Sequence, residues 1–93
     1  MISKTFVLQI SMGLHARPSM HMCLNMKNFD LDKAKMFYGE NIANMTVMME
    51  LLTLGVPFGE EAKIVLSGRQ EEEAMEFVEK FFKGEFEDEI YSK

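Results

Sequence analysis

His15 is followed two residues later by Arg17 and three later by Pro18, inside the run Gly13-Leu14-His15-Ala16-Arg17-Pro18-Ser19. A neutral imidazole is a nitrogen nucleophile available near pH 7, and a guanidinium grips the oxygens of an anion through forked N–H donors. Together they suit the handling of phosphate: the ring accepts a phosphoryl group and the guanidinium steadies its oxygens. Pro18 fits the first turn of a helix, where its missing N–H breaks no intrahelical bond. His15 is thereby expected at a helix N-terminus, where unpaired N–H groups and about half a positive charge attract an anion. Ala16 and Arg17 are the expected main-chain donors, and Gly13 gives the loop a permissive backbone. A histidine before a helix is more often a surface residue or a cap. Spacing alone therefore does not establish the chemistry.

The elements that must position these residues are legible from periodicity. Strands are expected over 4–10, 33–38, 42–44 and 62–67, from β-branched, aromatic and alternating apolar residues. Helices are expected over about 16–27, 47–54 and 71–83. Asn28 is the candidate C-cap of the first helix, Thr46 the candidate N-cap of the second, and Gly55 its terminator. The order β-α-β-β-α-β-α predicts an α+β fold: an open-faced two-layer sandwich of a four-stranded antiparallel sheet with three helices on one face. Residues 1–84 are expected to form this single domain. The acidic tail 85–93 is expected to fray, unless Phe86, Ile90 and Tyr91 fold back.

Composition narrows the class. The chain has 93 residues, 47% of them hydrophobic and 27% charged, enough for one modest core. A net charge of −5 weighs against general nucleic-acid binding, which needs cations to neutralise phosphates. Cys23 is the lone cysteine, so no internal disulfide framework exists. No apolar leader or membrane-spanning run is visible, and a cytoplasmic protein without membrane insertion is expected. His21 and Cys23 point about 200° apart on a helix and cannot share an ion without distortion. No metal site and no cofactor are implied.

The helices carry more apolar residues than burial of one face needs. Ser19, Met22, Cys23 and Met26 form one stripe, expected against the sheet. Met20 and Leu24 form a neighbouring stripe with Lys27 beyond, flanked by Arg17 and His21. In the second helix Val47, Leu51 and Leu54 fall together, and Met48 and Leu52 form a second pair. Either the buried face is wide, or the second stripes are a docking surface around His15. Ten methionines supply adaptable apolar area for both.

The motif around His15 and the β-α-β-β-α-β-α order together resemble the histidine-containing phosphocarrier (HPr) family of the bacterial phosphoenolpyruvate-dependent phosphotransferase system. Leu52-Thr53-Leu54-Gly55-Val56 resembles the end of that family's short second helix, and the likeness covers about residues 4–84. The resemblance implies a stoichiometric carrier rather than an enzyme, ordinarily monomeric. His15 would take a phosphoryl group on Nδ1 from enzyme I and donate it to an enzyme IIA domain, with Arg17 on the phosphate. Leu14, Met20, His21, Leu24, Lys27, Met48 and Leu52 would face the partners.

Two departures stand out. Val47 falls where Gram-positive members carry a regulatory serine, so a hydroxyl is missing there; Thr46 is adjacent but displaced. Glu50 and Leu24 fall where many members carry lysine, which weakens the basic collar and electrostatic steering toward an acidic partner. A regulatory binding module of the same fold is the alternative. A stand-alone enzyme finds no support in a second nucleophile, a nucleotide loop or a metal constellation.

Overall fold

Alternation along the strands dictates a sheet with one wet and one dry face, and the computed structural model, which describes residues 1–91, has that form. The strands are β1 (Ile2–Val7), β2 (Lys33–Tyr38), β3 (Asn41–Asn44) and β4 (Glu61–Ser67), and the helices α1 (Ala16–Met26), α2 (Met48–Leu54), α3 (Glu71–Phe82) and α4 (Glu87–Tyr91). The sheet runs β1-β4-β2-β3 with every neighbouring pair antiparallel. In register, Met36 of β2 lies opposite Ile64 of β4 on one side and Ala43 of β3 on the other, and all three are fully buried. The intervening residues Lys33, Lys63 and Thr5 face water.

The helices cover the dry face. On α1, Ser19, Met22, Cys23 and Met26 are buried, the stripe that periodicity assigned to the core. Ser19 reconciles its hydroxyl with burial by donating to the Leu14 carbonyl at 3.3 Å. On α3, Ala74, Met75, Val78, Phe81 and Phe82 are buried, with Phe77 at the margin. Phe81 touches Phe77, Phe82 and His21 with ring centroids about 6 Å apart. Truncation of Phe81 to alanine removes one of the two largest fully buried side chains of the core. It is expected to cost about 3–5 kcal/mol, read as a lowered midpoint in urea at constant slope.

Several local expectations are corrected. The first strand begins and ends earlier than residues 4–10, because the chain leaves the sheet after Val7. Leu8 still bonds Glu60 and Gly59, and the Gln9 N–H then turns to the Phe82 carbonyl at 2.8 Å. Leu8 and Ile10 remain fully buried beneath the helices. Thr46 does not cap α2: Val47 is the N-cap, while the Thr46 hydroxyl donates to Asn44 Oδ1 at 2.8 Å. The α1 C-cap is Lys27 rather than Asn28.

The acidic tail holds a fourth helix. Asp88 and Glu89 remain outward and Glu87 is half-buried, while Ile90 is buried and Phe86 and Tyr91 pack partly against the core. Residues 92 and 93 of that tail lie outside the described residues.

Gly68 joins β4 to α3 at φ +143°, and a Cβ there would sit 2.6 Å from the Leu31 Cα and 2.8 Å from the Asp30 carbonyl oxygen. Both atoms are backbone and cannot rotate aside. Gly68→Ala is therefore expected to destabilise by about 3 kcal/mol, from backbone strain plus overpacking, measurable by thermal unfolding.

Candidate functional site

The loop before α1 is held from below, which fixes where His15 emerges. Gly13 has φ +74°, and a Cβ on it would lie 3.1 Å from the Val56 carbonyl oxygen, so the close approach of two backbones requires glycine. Immediately after it the Leu14 N–H donates to that same carbonyl at 2.9 Å. Leu14 is thereby drawn into the core, only 3% exposed. It anchors the loop and does not join the partner-facing residues with which the sequence grouped it.

His15 comes next as the N-cap of α1, with extended backbone angles of φ −87° and ψ −164°. Its N–H bonds the Gly13 carbonyl at 3.0 Å, and its carbonyl accepts the Ser19 N–H at 2.9 Å. The side chain makes no capping bond among the described residues and is exposed. The backbone is committed while the ring stands free in water.

Pro18 is the third residue of α1, and it is buried. Because proline has no N–H, the unpaired donors of the first turn reduce to those of Ala16 and Arg17. The turn contains no acidic residue, so the positive end of the helix dipole is left uncompensated beside the imidazole. Arg17 is exposed. A shallow groove of about 240 Å³ opens on the other side of His15, bounded by Met12, Leu52, Pro57 and Phe58. The main-chain donors of Ala16 and Arg17 and the exposed imidazole share this helix start, while the exposed Arg17 side chain lines a groove between α1 and α4 with Met20, Leu24 and Ile90.

The second stripes divide into two groups. Met20 and Leu24 are 45% and 54% exposed, and Lys27 is exposed beyond them. Met48 and Leu52 are half-buried, and Met48 packs partly against the core. α1 and α2 lie side by side.

His21 behaves differently from its stripe. Its ring stacks on Phe77 and Phe81 and meets Phe86 at 5.4 Å, leaving its side chain 15% exposed. Nε2 lies 3.5 Å from Glu89 Oε1, a charge contact only when the ring is protonated and too poorly aligned for a hydrogen bond. Its contacts lie with α3 and α4 rather than with open water.

Sequence reasoning missed two exposed apolar side chains beside the site, Met12 and Phe58, which flank the His15 groove. Val47, whose spacing grouped it with Leu51 and Leu54, is exposed, and Met49 lines a different pocket with Asn41, Ile42 and Thr53. Met12 and Phe58 sit in turns, where no periodicity marks a face. Tyr91, named in the sequence only as a residue that could fold back, lies near Arg17. Burial holds the Tyr91 phenol above its ordinary range, the nearby Glu87 carboxylate raises it further, and the Arg17 guanidinium partly offsets both.

Val47 is an exposed N-cap without a side-chain hydroxyl. Cys23 is buried. Among the described residues no group of three or more His, Cys, Asp or Glu side chains is arranged to hold a metal ion. Among the described residues no helix is long and apolar enough to cross a membrane.

Residues 2–84 match the family model described as the PTS HPr component phosphorylation site. Among solved structures the chain is similar to HPr-C-His from Thermoanaerobacter tengcongensis, with 25% identity, a TM-score of 0.86, and 94% and 97% of the two chains covered. A phosphocarrier protein HPr from Bacillus anthracis shares the fold at 21% identity and a TM-score of 0.82, covering 87% of this chain and 95% of that one. The Bacillus subtilis catabolite repression protein Crh shares it at 23% identity and a TM-score of 0.70, covering 89% and 94%. A family match over nearly the whole chain, on a sheet and helices of the same architecture, makes this chain a member of the HPr family of phosphotransferase-system phosphocarriers.

Proposed function

We propose that His15 is the phosphoryl carrier atom set of this chain, loaded by enzyme I and unloaded onto an enzyme IIA domain in the cytoplasm. The observation that carries this reading is the exposed His15 ring, unengaged in capping at a helix start with no carboxylate in its first turn. Loading forms a bond from Nδ1 to phosphorus as the bond from phosphorus to the donor atom breaks and the donor keeps its electron pair. Unloading is the reverse step on the acceptor: its nucleophile bonds phosphorus and Nδ1 departs with the pair. Neither step needs a cofactor of this chain. Alignment and charge stabilisation supply the catalysis, and the partner contributes part of both.

Arg17 and the N–H groups of Ala16 and Arg17 neutralise the phosphate oxygens as charge gathers on them. Met20, Leu24, Met48 and Leu52, with Lys27 at the edge, form the surface on which the partners seat. Methionine and leucine side chains adapt there to more than one contour. The chain acts as a monomer that exchanges partners.

Incubation of the purified chain with its cognate enzyme I and ³²P-labelled phosphoenolpyruvate tests this. The expected product is an acid-labile, base-stable adduct that disappears when an enzyme IIA domain is added. An unlabelled chain, or an acid-stable phosphate, would overturn the proposal.

A further inference from the structure

A second opening lies at the end of α1 away from His15, between the helix C-terminus, the start of β2 and the end of β3. It encloses about 330 Å³, within the roughly 300–1,000 Å³ of small-molecule sites. Its charge is the reverse of the chain's. Lys27, Lys33 and Lys35 line it against one carboxylate, Asp32, while the whole protein carries −5. None of the three lysines makes an ion pair among the described residues. Lys33 and Lys35 are two apart on β2, so the strand sends both to the same side of the sheet. Lys27, the C-cap of α1, reaches the opening from the helix.

The rest of the lining is mixed. Phe29 and Leu31 are half-buried and supply an apolar part. Asn44 and Thr46 supply a polar one. The Asn44 amide oxygen accepts the Thr46 N–H at 3.0 Å and the Thr46 hydroxyl at 2.8 Å. Its Nδ2 hydrogens are thereby left over as donors, with no partner among the described residues. Unpaired ammonium groups and an amide donor recognise an anion. A bare ion would leave Phe29 and Leu31 wet, and an uncharged molecule would leave the lysines unanswered.

We propose that this opening binds a small phosphate monoester with an apolar or aromatic body. Three lysines against one aspartate leave an excess of two positive charges, which the dianion matches. The body covers Phe29 and Leu31. The opening shares no residue with the helix start that presents His15, and binding there involves no phosphoryl transfer.

Phenyl phosphate is the probe, titrated into the ¹⁵N-labelled full chain at pH 8, where the monoester is a dianion, and followed by amide shifts. The expected dissociation constant in low salt is about 1 mM, the scale for a ligand of so few atoms. Shifts are expected to centre on residues 33–35 and 44–46, and binding to weaken several-fold in high salt. The double variant K33Q and K35Q, on a solvent-facing row of β2, is expected to keep the fold and raise the constant about tenfold. Inorganic phosphate and phenol each hold half of the probe's chemistry and are expected to bind roughly tenfold more weakly. Absence of saturable shifts, shifts confined to residues 15–17, or an unchanged constant in the double variant overturns the site. Inorganic phosphate binding as tightly as phenyl phosphate overturns the assigned ligand class.

Discussion

Replacing His15 with alanine is expected to abolish phosphate incorporation, with no residual label above that of a chain lacking donor. The effect is all or none because no other group takes over. His21, the second histidine, is wedged among Phe77, Phe81 and Phe86 and has no open approach for a partner's phosphoryl group. The fold itself is expected to remain. The His15 ring is exposed and makes no capping bond, so the change in stability should stay within about 0.5 kcal/mol. Superimposable circular dichroism and an unchanged unfolding midpoint would separate lost chemistry from lost structure. Labelling of the alanine variant would move the acceptor elsewhere.

Arg17→Ala carries the second large effect. Loss of a charged donor placed where negative charge develops typically costs 10²–10³ in rate, and a drop of about that size in the kcat/KM for loading is expected. Lysine at the same position should recover only part of it, because an ammonium is a point charge without the fork that spans two phosphate oxygens. Arg17 also lines the groove shared with α4, so the alanine variant should raise KM as well as lower kcat. Stopped-flow loading kinetics for wild type, alanine and lysine variants would resolve the two contributions. Equal kcat in all three would remove Arg17 from the transfer step.

The frame of the molecule was readable in the chain because local signals and packing agree. The α1 stripe of Ser19, Met22, Cys23 and Met26 has helical spacing and is buried as that spacing demands. Ala34 and Met36 alternate with lysines, and the sheet buries the first pair while the lysines face outward to differing degrees. Four strands in an antiparallel sheet with helices against them follow from those patterns. What escaped was decided by contacts between distant residues.

Leu14 looks like a surface neighbour of His15 until the Val56 carbonyl captures its N–H. His21 shares a helix stripe with Arg17, yet Phe77, Phe81 and Phe86 arrive from far along the chain to cover it. Helix α4 is five residues long, below any length at which periodicity speaks, and its acidic majority disguises Ile90 as part of a solvated tail. Thr46 has the right chemistry for an N-cap, but the Asn44 side chain accepts its N–H and hydroxyl, and Val47 takes the capping position.

The site divides in the same way. His15, Ala16, Arg17 and Pro18 are consecutive, so one helix start delivers them together without any tertiary prediction. The surface around them depends on how α2, the Pro57–Phe58 turn and α4 pack, and only its α1 and α2 stripes were visible in the spacing. A regulator that merely docks would use that surface without the ring. It would bind its partner equally well with alanine at position 15, whereas a carrier loses its output.

The most direct measurement is ³¹P and ¹⁵N nuclear magnetic resonance of the ¹⁵N-histidine-labelled chain after reaction with its cognate enzyme I and phosphoenolpyruvate. A phosphoramidate signal coupled to Nδ1 of His15, gained on loading and lost on addition of an enzyme IIA domain, is the predicted result. Phosphorus bonded to any other atom, or a His15 ring unchanged in the presence of active donor, would contradict the account.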